Sequence, residues 1–175
     1  MAIDTVTGWT RSSDSAEVAN KSKKIKFTGV TLDEGDLLQL QANTTLETLE
    51  LTGSTFSYAA GKPDFNDLPG VQAAATLILL DINGATGMVG APSAAWAAAT
   101  KLANVSINNC GYNAAALDDF LIAFNAARVA SPGLGSATTP GVLNIAGASN
   151  GIRTSASNAA VTALTLAGWT VTQNS

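Results

Sequence analysis

The chain has 175 residues, a formal net charge of −4, one cysteine and no histidine. This length suits one domain with a sizeable core. Without histidine, Ser-His-Asp and Cys-His catalytic sites and zinc sites of the Cys/His type are excluded, and a single cysteine excludes a disulfide within the chain. Charged residues make up 13% of the sequence, against about 25% in typical soluble domains. The surface must therefore be mainly uncharged, which suits a protein that works outside a crowded cytoplasm or is packed among other subunits. A solenoid that is simply rich in small residues is the alternative.

The amino-terminal segment, residues 1–24, is predicted to be an arm or a cap. Apolar side chains recur three positions apart in an otherwise polar stretch, and five of the nine basic residues of the chain fall within residues 1–26. A basic arm studded with apolar residues can become ordered on a partner surface. The candidate attachment site for a partner consists of Ile3, Val6, Trp9, Lys21, Lys23 and Lys24. The alternative is that the segment covers the first repeat of the domain, because terminal repeats need capping.

Residues 25–175 repeat an apolar phrase that is followed by a small residue. The three full copies are Leu46-x-x-Leu49-x-Leu51 before Ser54, Leu77-x-x-Leu80-x-Ile82 before Ala85, and Leu102-x-x-Val105-x-Ile107 before Cys110. Shorter copies are Ile25-x-Phe27 before Val30 and Leu143-x-Ile145 before Ala148. This pattern is the consensus of a leucine-rich repeat, in which a short strand precedes a turn held by Asn or Cys.

The spacing of the copies supports stacked repeats with inserted loops. The middle apolar residues of the five copies are 24, 31, 25 and 38 positions apart, and a further step of 26 reaches Trp169 in a predicted closing strand, residues 168–172. Because one repeat cannot bury its apolar face alone, neighbouring repeats must stack. The sequence thus predicts an α/β fold, a leucine-rich-repeat-like solenoid over residues 25–175 with a short parallel sheet and helices on the convex side.

Segments between the copies supply the predicted helices. Residues 37–41 fit a short helix and an alternating strand equally well. Residues 94–102 are predicted to be helical, with Ser93 as the cap and Trp96 facing inward. A third helix is predicted over residues 157–167, where Gly168 provides a left-handed stop.

The strongest helix signal covers residues 113–129. Asn113 can cap the helix, and its apolar stripe has the spacing of one helical face: Leu117, Phe120, Leu121 and Phe124. The neighbouring carboxylates Asp118 and Asp119 point about 100° apart, so they cannot act as a catalytic pair. We expect both of them to lie on a solvated flank.

Other clusters of polar residues do not match known sites. Residues 33–36 hold three carboxylates but depart from the calcium-loop spacing, and the glycine-rich residues 84–90 lack the lysine of a phosphate loop. Cys110 occupies the consensus position for a buried Asn or Cys, so we expect it to be buried and structural. The sequence predicts no catalytic residue, no cofactor and no metal site.

The carboxy-terminal part of the chain carries a family resemblance. Two of its runs are Gly141-Val142-Leu143-Asn144-Ile145-Ala146-Gly147 and Gly168-Trp169-Thr170-Val171-Thr172. Residues 46–175 resemble the leucine-rich-repeat-like modules of virion proteins from tailed bacteriophages, and similar modules occur in bacterial proteins. The resemblance implies a non-enzymatic virion structural protein on the particle surface, either a tail-fibre or receptor-binding component or a capsid decoration. The implied partners are other virion proteins, further copies of the chain, and a host surface glycan or protein.

The lack of recognisable targeting signals agrees with that expectation. The amino terminus lacks the apolar core of a signal peptide, no run of about 18 apolar residues could span a membrane, and no broad basic face suggests nucleic-acid binding. We therefore expect a virion protein assembled in the host cytoplasm, without membrane insertion or nucleic acid. The alternative is a bacterial leucine-rich-repeat module for protein interaction, and the residues alone leave tail and capsid locations equally open.

Overall fold

The computed structural model describes residues 22–58, 63–68, 75–137 and 141–175. Within these ranges the chain is α/β, with a six-stranded parallel sheet, a two-stranded parallel sheet and three α-helices. The strands are β1 (Lys24–Thr28), β2 (Thr31–Asp33), β3 (Thr48–Thr52), β4 (Thr55–Ser57), β5 (Leu79–Asp81), β6 (Asn104–Ser106), β7 (Val142–Asn144) and β8 (Thr170–Thr172). The α-helices are α1 (Glu34–Gln41), α2 (Ala114–Val129) and α3 (Asn158–Leu166).

The large sheet follows the order of the chain, β1-β3-β5-β6-β7-β8, and every neighbouring pair is parallel. Its register places the middle residues of the five apolar phrases in one row across the strands. The row is Ile25, Leu49, Leu80, Val105, Leu143 and Val171. The predicted parallel sheet is thus confirmed, with one correction: Val171, not Trp169, continues the row, because Trp169 is buried in the turn before β8.

Alternation along each strand decides which face is buried. Leu49, Leu80 and Leu143 are fully buried against the helical side of the sheet, where burial of one such side chain contributes about 1.5–3 kcal/mol. An aromatic cluster fills the same layer around Phe120. The centroid of its ring lies 5.0 Å from that of Phe65 and 6.0 Å from that of Phe124. The core therefore lies between the sheet and the segments that connect its strands.

Helix α1 settles the ambiguity over residues 37–41 in favour of a helix. The Asp33 side chain accepts a hydrogen bond from the Asp36 backbone N–H at 3.1 Å, and the Asp36 carboxylate accepts one from the Asp33 N–H at 2.9 Å. This reciprocal capping box fixes the start of the helix. Leu37 and Leu40 then face the core. The acidic cluster at residues 33–36 thus acts as a helix start.

The predicted helix over residues 94–102 is wrong in type and length. The chain forms a 3-10 helix over Ala94–Ala98, and the Ser93 side chain makes no capping hydrogen bond. Helical geometry ends at Ala99, where ψ is 57°, because the chain must turn there to bring Leu102 into the core ahead of β6. Trp96 is fully buried, as predicted, and its indole N–H donates to Asn66 Oδ1 at 3.1 Å.

The two later helices confirm their predictions closely. Asn113 caps α2 by accepting a hydrogen bond from the Ala116 N–H at 2.9 Å, and the four apolar residues of its predicted stripe are buried. Helix α3 follows a 3-10 turn over Ser155–Ser157. Gly168 ends the segment with a φ of +88°, a left-handed value that favours glycine.

Candidate interaction surface on the outer face of the sheet

The outer face of the large sheet is formed by the residues that alternate with the buried row. Two rows of side chains run across it, because successive side chains of a strand point to opposite faces. The first row is Lys24, Thr48, Leu79, Asn104, Val142 and Thr170, and the second is Lys26, Glu50, Asp81, Ser106, Asn144 and Thr172. None of these side chains is fully buried. This outer face thus spans all six strands of the large sheet.

Charge is concentrated at the β1 end of the outer face. Lys26 Nζ lies 2.6 Å from Glu50 Oε2, and the pair Lys23–Glu47 lies beside it at 2.7 Å. The hydrogen bond and the charge of Glu50 raise the pKa of Lys26, and the hydrogen bond from Lys23 lowers the pKa of Glu47. The opposite charges of this end are therefore already paired within the chain.

The β6–β8 end of the outer face carries no formal charge in either row. Its exposed side chains are hydroxyls and amides, together with Val142, which is 40% exposed. Asn144 Oδ1 accepts a hydrogen bond from the Ala146 N–H at 3.1 Å, and Asp81 makes the same type of bond to the Asn83 N–H at 2.8 Å. Such a surface offers neutral hydrogen-bonding groups to a partner rather than an electrostatic field.

The turns behind the strands are held by buried side chains. Cys110 Sγ donates to the Ile82 carbonyl at 2.9 Å, and Asn150 Nδ2 donates to the Ile107 carbonyl at 2.8 Å. Cys110 is 3% exposed, which confirms its predicted burial, and that burial raises its pKa to about 12. Each of these two bonds links the turn after one strand to the turn after the previous strand of the sheet.

The small residue expected behind the fifth phrase is a further correction. Ala148 is exposed, whereas Asn150 is buried and also accepts hydrogen bonds from the Gly111 and Tyr112 N–H groups at 2.9 and 3.1 Å. The turn is longer here, because Gly147 adopts a φ of +104° beside the Asn109 side chain. The extra length moves the turn-holding position two residues along the chain.

Only two of the six predicted attachment residues, Lys23 and Lys24, lie within the described ranges. Ile3, Val6, Trp9 and Lys21 lie outside the described residues. Lys23 pairs with Glu47, and Lys24 is the exposed first residue of β1, the strand at one edge of the sheet. Nearby, Ser22 is buried and its carbonyl accepts a hydrogen bond from Asn43 Nδ2 at 2.7 Å. The two described lysines therefore lie together at the β1 edge.

Asp118 was expected to be solvated, and that prediction is wrong. It is 5% exposed, and its carboxylate accepts hydrogen bonds from Thr154 Oγ1 at 2.6 Å and Ser157 Oγ at 2.5 Å. Burial alone would raise its pKa, but these bonds and the nearby Arg153 charge outweigh that effect and lower the pKa. Asp119 is exposed, as expected. The partners of Asp118 lie 36 and 39 residues away, so no local pattern reveals them.

A polar cleft of about 260 Å³ lies next to these partners at the carboxy-terminal end of the described chain. Its lining residues are Ile152, Arg153, Thr154, Ser155, Asn158, Gln173 and Asn174. The sequence alone does not reveal this cleft, because the walls of the cleft come from two separate segments of the chain. The only signal at the sequence level is the lone Arg153 in a stretch otherwise free of charge.

The described ranges contain neither a metal-binding cluster nor a membrane-spanning helix. No group of three or more His, Cys, Asp or Glu side chains there is arranged to hold a metal ion. No helix within those ranges has the length and apolar character needed to cross a membrane.

Comparisons with protein-family models, with curated proteins and with solved structures find no match for this chain.

Proposed function

We propose that this chain is a leucine-rich-repeat-like solenoid and a non-enzymatic structural protein of a tailed-bacteriophage virion, exposed on the particle surface. The observation that carries the repeat architecture is the row from Ile25 to Val171, which joins six strands in chain order. The hydrogen bonds of Cys110 and Asn150 support it, because the repeat consensus places Cys or Asn at this turn. In such arrays each unit contacts mainly its neighbours.

The outer face supports a role in contact rather than in catalysis. Its charged end is neutralised by internal ion pairs, and its β6–β8 end is neutral and rich in hydroxyl and amide groups. Polar interfaces of this kind rely on many hydrogen bonds and bridging waters. Such a face suits neighbouring subunits of a particle or the hydroxyl groups of a host glycan.

The buried polar groups also support a non-enzymatic role. Asp118 and Asn150 use their side-chain atoms to hold loops, and Cys110 donates to a backbone carbonyl. A thiol with a pKa near 12 is protonated at neutral pH, whereas nucleophilic catalysis needs the thiolate. Each of these groups therefore has a structural use.

In this proposal the segment at residues 1–24 attaches the protein to other virion proteins, including further copies of the chain. The repeat domain then faces outward, as a tail-fibre, receptor-binding or capsid-decoration component, towards a host surface glycan or protein. Assembly would take place in the host cytoplasm. Lys23 and Lys24 support the attachment site, because they lie together at the β1 edge, next to where the proposed arm joins the domain.

The test compares purified particles that carry the full chain with particles made with a chain lacking residues 1–20. We expect the full chain in the particles, by mass spectrometry and immunoblot, and loss of the truncated chain, which should stay folded by circular dichroism. Absence of the full chain from particles would refute the virion role and favour the bacterial interaction module. Normal incorporation of the truncated chain would refute attachment by the arm, and loss of folding would identify the arm as a cap.

A triple variant tests whether the basic cluster contributes to attachment. Replacing Lys21, Lys23 and Lys24 together by serine should reduce incorporation, because it removes three positive charges from residues 1–24, of which that of Lys23 is also paired with Glu47. The control is Arg128→Ser, since Arg128 lies on α2 and its guanidinium donates to Asn125 of the same helix. Equal incorporation of both variants would contradict a role for the basic cluster.

A further inference from the structure

The polar cleft lined by residues 152–155, 158 and 173–174 contains a guanidinium group that is held by several hydrogen bonds. Arg153 Nη1 donates to Asn158 Oδ1 at 2.6 Å and to the Thr154 carbonyl at 3.0 Å. Its Nε donates to Gln173 Oε1. A planar guanidinium held at two of its nitrogens loses little further freedom when a ligand binds. The side chain is therefore preorganised at the cleft.

Several hydrogen-bond donors of the cleft have no acceptor among the described residues. Guanidinium groups only donate, so Asn158 and Gln173 must turn their amide oxygens towards Arg153. Their NH₂ groups then remain available, together with Arg153 Nη2 and the Ser155 hydroxyl. None of these four groups donates a hydrogen bond to another described residue. The cleft consequently presents several donors to an acceptor-rich ligand.

Charge in the cleft favours an anionic ligand. The lining contains one cation and no carboxylate. The Asp118 carboxylate is buried beside Thr154 and its charge interacts with that of Arg153, but its oxygens already accept hydrogen bonds from Thr154 and Ser157. It therefore offers no competing acceptor within the cleft. Hydrogen bonds from a guanidinium to a carboxylate are charge-assisted and geometrically specific.

Size and shape narrow the ligand further. A volume of about 260 Å³ lies below the range of about 300–1,000 Å³ typical of pockets for drug-sized ligands, so one sugar ring is a suitable occupant. Ile152, which is 58% exposed, supplies an apolar wall against which the C–H face of a ring can pack. The Ser155 hydroxyl and the free amides can pair with ring hydroxyl groups.

We propose that this cleft binds an acidic sugar unit, with the sugar carboxylate on Arg153 and the ring beside Ile152. This inference rests on the proposed role in recognising a surface ligand, since it names the chemical class of that ligand. It separates the cleft from the neutral outer face of the sheet. A glycan rich in uronic or other carboxylated sugars is the expected source.

The test is titration of the full chain with galacturonate and with the neutral sugar galactose, followed by NMR and calorimetry. We expect galacturonate to bind at least about tenfold more tightly than galactose, because one charge-assisted pair corresponds to roughly one decade of affinity. Arg153→Gln should weaken galacturonate binding by about tenfold or more. Gln173→Leu should weaken galacturonate binding by a smaller factor. Because Gln173 does not hydrogen-bond to Asp118, this second variant still tests the cleft if Arg153→Gln disturbs folding.

The matched control is Arg128→Gln, since Arg128 is a helix-surface arginine that bonds Asn125 on α2. This variant should bind galacturonate as the parent does. Equal binding of galactose and galacturonate, or unchanged binding by both cleft variants, would overturn the proposal. Acetate binding as tightly as galacturonate would also overturn it, because the ring would then contribute nothing. These measurements do not involve particles, so they can fail while the virion role stands, and the reverse also holds.

Discussion

The two ends of the large sheet share one backbone register but are stabilised in different ways. Strands β1 and β3 carry the ion pair Lys26–Glu50 on the outer face, and the pair Lys23–Glu47 lies just before these strands. Around β6–β8 the outer face is neutral, and buried side chains such as Asn150 and Asp118 tie separate segments together. The same strand pattern therefore carries surface ion pairs at one end and a neutral face at the other. Buried polar side chains tie separate segments at both ends: Asn43 bonds the Ser22 carbonyl near β1, and Asn150 and Asp118 act near β6–β8.

This difference indicates where stability is concentrated. Exposed ion pairs contribute little, because water and salt screen them and both side chains must be ordered. Buried hydrogen bonds contribute about 0.5–1.5 kcal/mol each, and leaving one partner unsatisfied costs about 1–3 kcal/mol. We therefore expect slower amide exchange around β6–β8 than around β1 and β3. The following predictions test that asymmetry.

The largest effect is expected in the shared apolar row. Val105→Asp places an unpaired carboxylate in the core next to Leu80 and Leu143, so the domain should lose its cooperative unfolding transition. Leu80→Ala should lower the free energy of unfolding by about 2–5 kcal/mol by leaving a cavity. The control is Asn104→Asp, on the exposed outer face. If Val105→Asp melts like the parent in calorimetry, the observed register is wrong.

The second effect concerns the buried carboxylate of the β6–β8 end. Asp118→Ala should lower the free energy of unfolding by about 2–3 kcal/mol, because it removes charged hydrogen bonds to Thr154 and Ser157. Asp119→Ala, in the exposed neighbouring position, should have a small effect. Chemical denaturation of the two variants measures this difference. Equal stability of both would contradict a stabilising role for buried polar groups at this end.

The pH dependence of Asp118 has a defined sign. Its native pKa is lowered, so its stabilisation is present above the unfolded pKa of about 3.9 and is lost as the pH falls through the native value. The stability difference between Asp118→Ala and the parent should therefore shrink in acid. A difference that grows below pH 4 would contradict the assignment.

A smaller effect, of opposite sign, is expected in the turn after β3. The Ser54 hydroxyl is buried without a hydrogen-bond partner among the described residues, while the corresponding position of the next phrase holds Ala85. Ser54→Ala should therefore raise the free energy of unfolding by about 1 kcal/mol. Cys110→Ala, which removes the bond to Ile82, should lower it. Destabilisation by Ser54→Ala in thermal melts would show that the hydroxyl is satisfied in solution.

The smallest effect is expected for the ion pairs of the β1 end. Glu50→Gln should change the melting temperature only slightly, because Lys26 is exposed and screened by solvent. Any difference from the parent should vanish at about 1 M salt, where the Debye length is about 3 Å. A large loss of stability that persists at high salt would show that this end depends on its charges.

Local patterns account for much of the architecture. The spacing of Leu49, Leu80 and Val105 places them correctly in the sheet, and Asn113 with its apolar stripe identifies α2. These signals work because strand alternation, helical periodicity and end capping are determined by residues within a few positions of one another. The amino-acid sequence by itself thus determined which face of each strand is buried and where α2 begins.

Tertiary structure decided the polar details. The burial of Asp118, the choice of Asn150 over Ala148, and the cleft around Arg153 all depend on segments that are far apart in sequence. A polar side chain has no preferred burial of its own, because its energy depends on whether a partner lies within hydrogen-bond distance. Only the folded chain brings those partners together, and for that reason the candidate ligand site was found in the structure and not in the sequence.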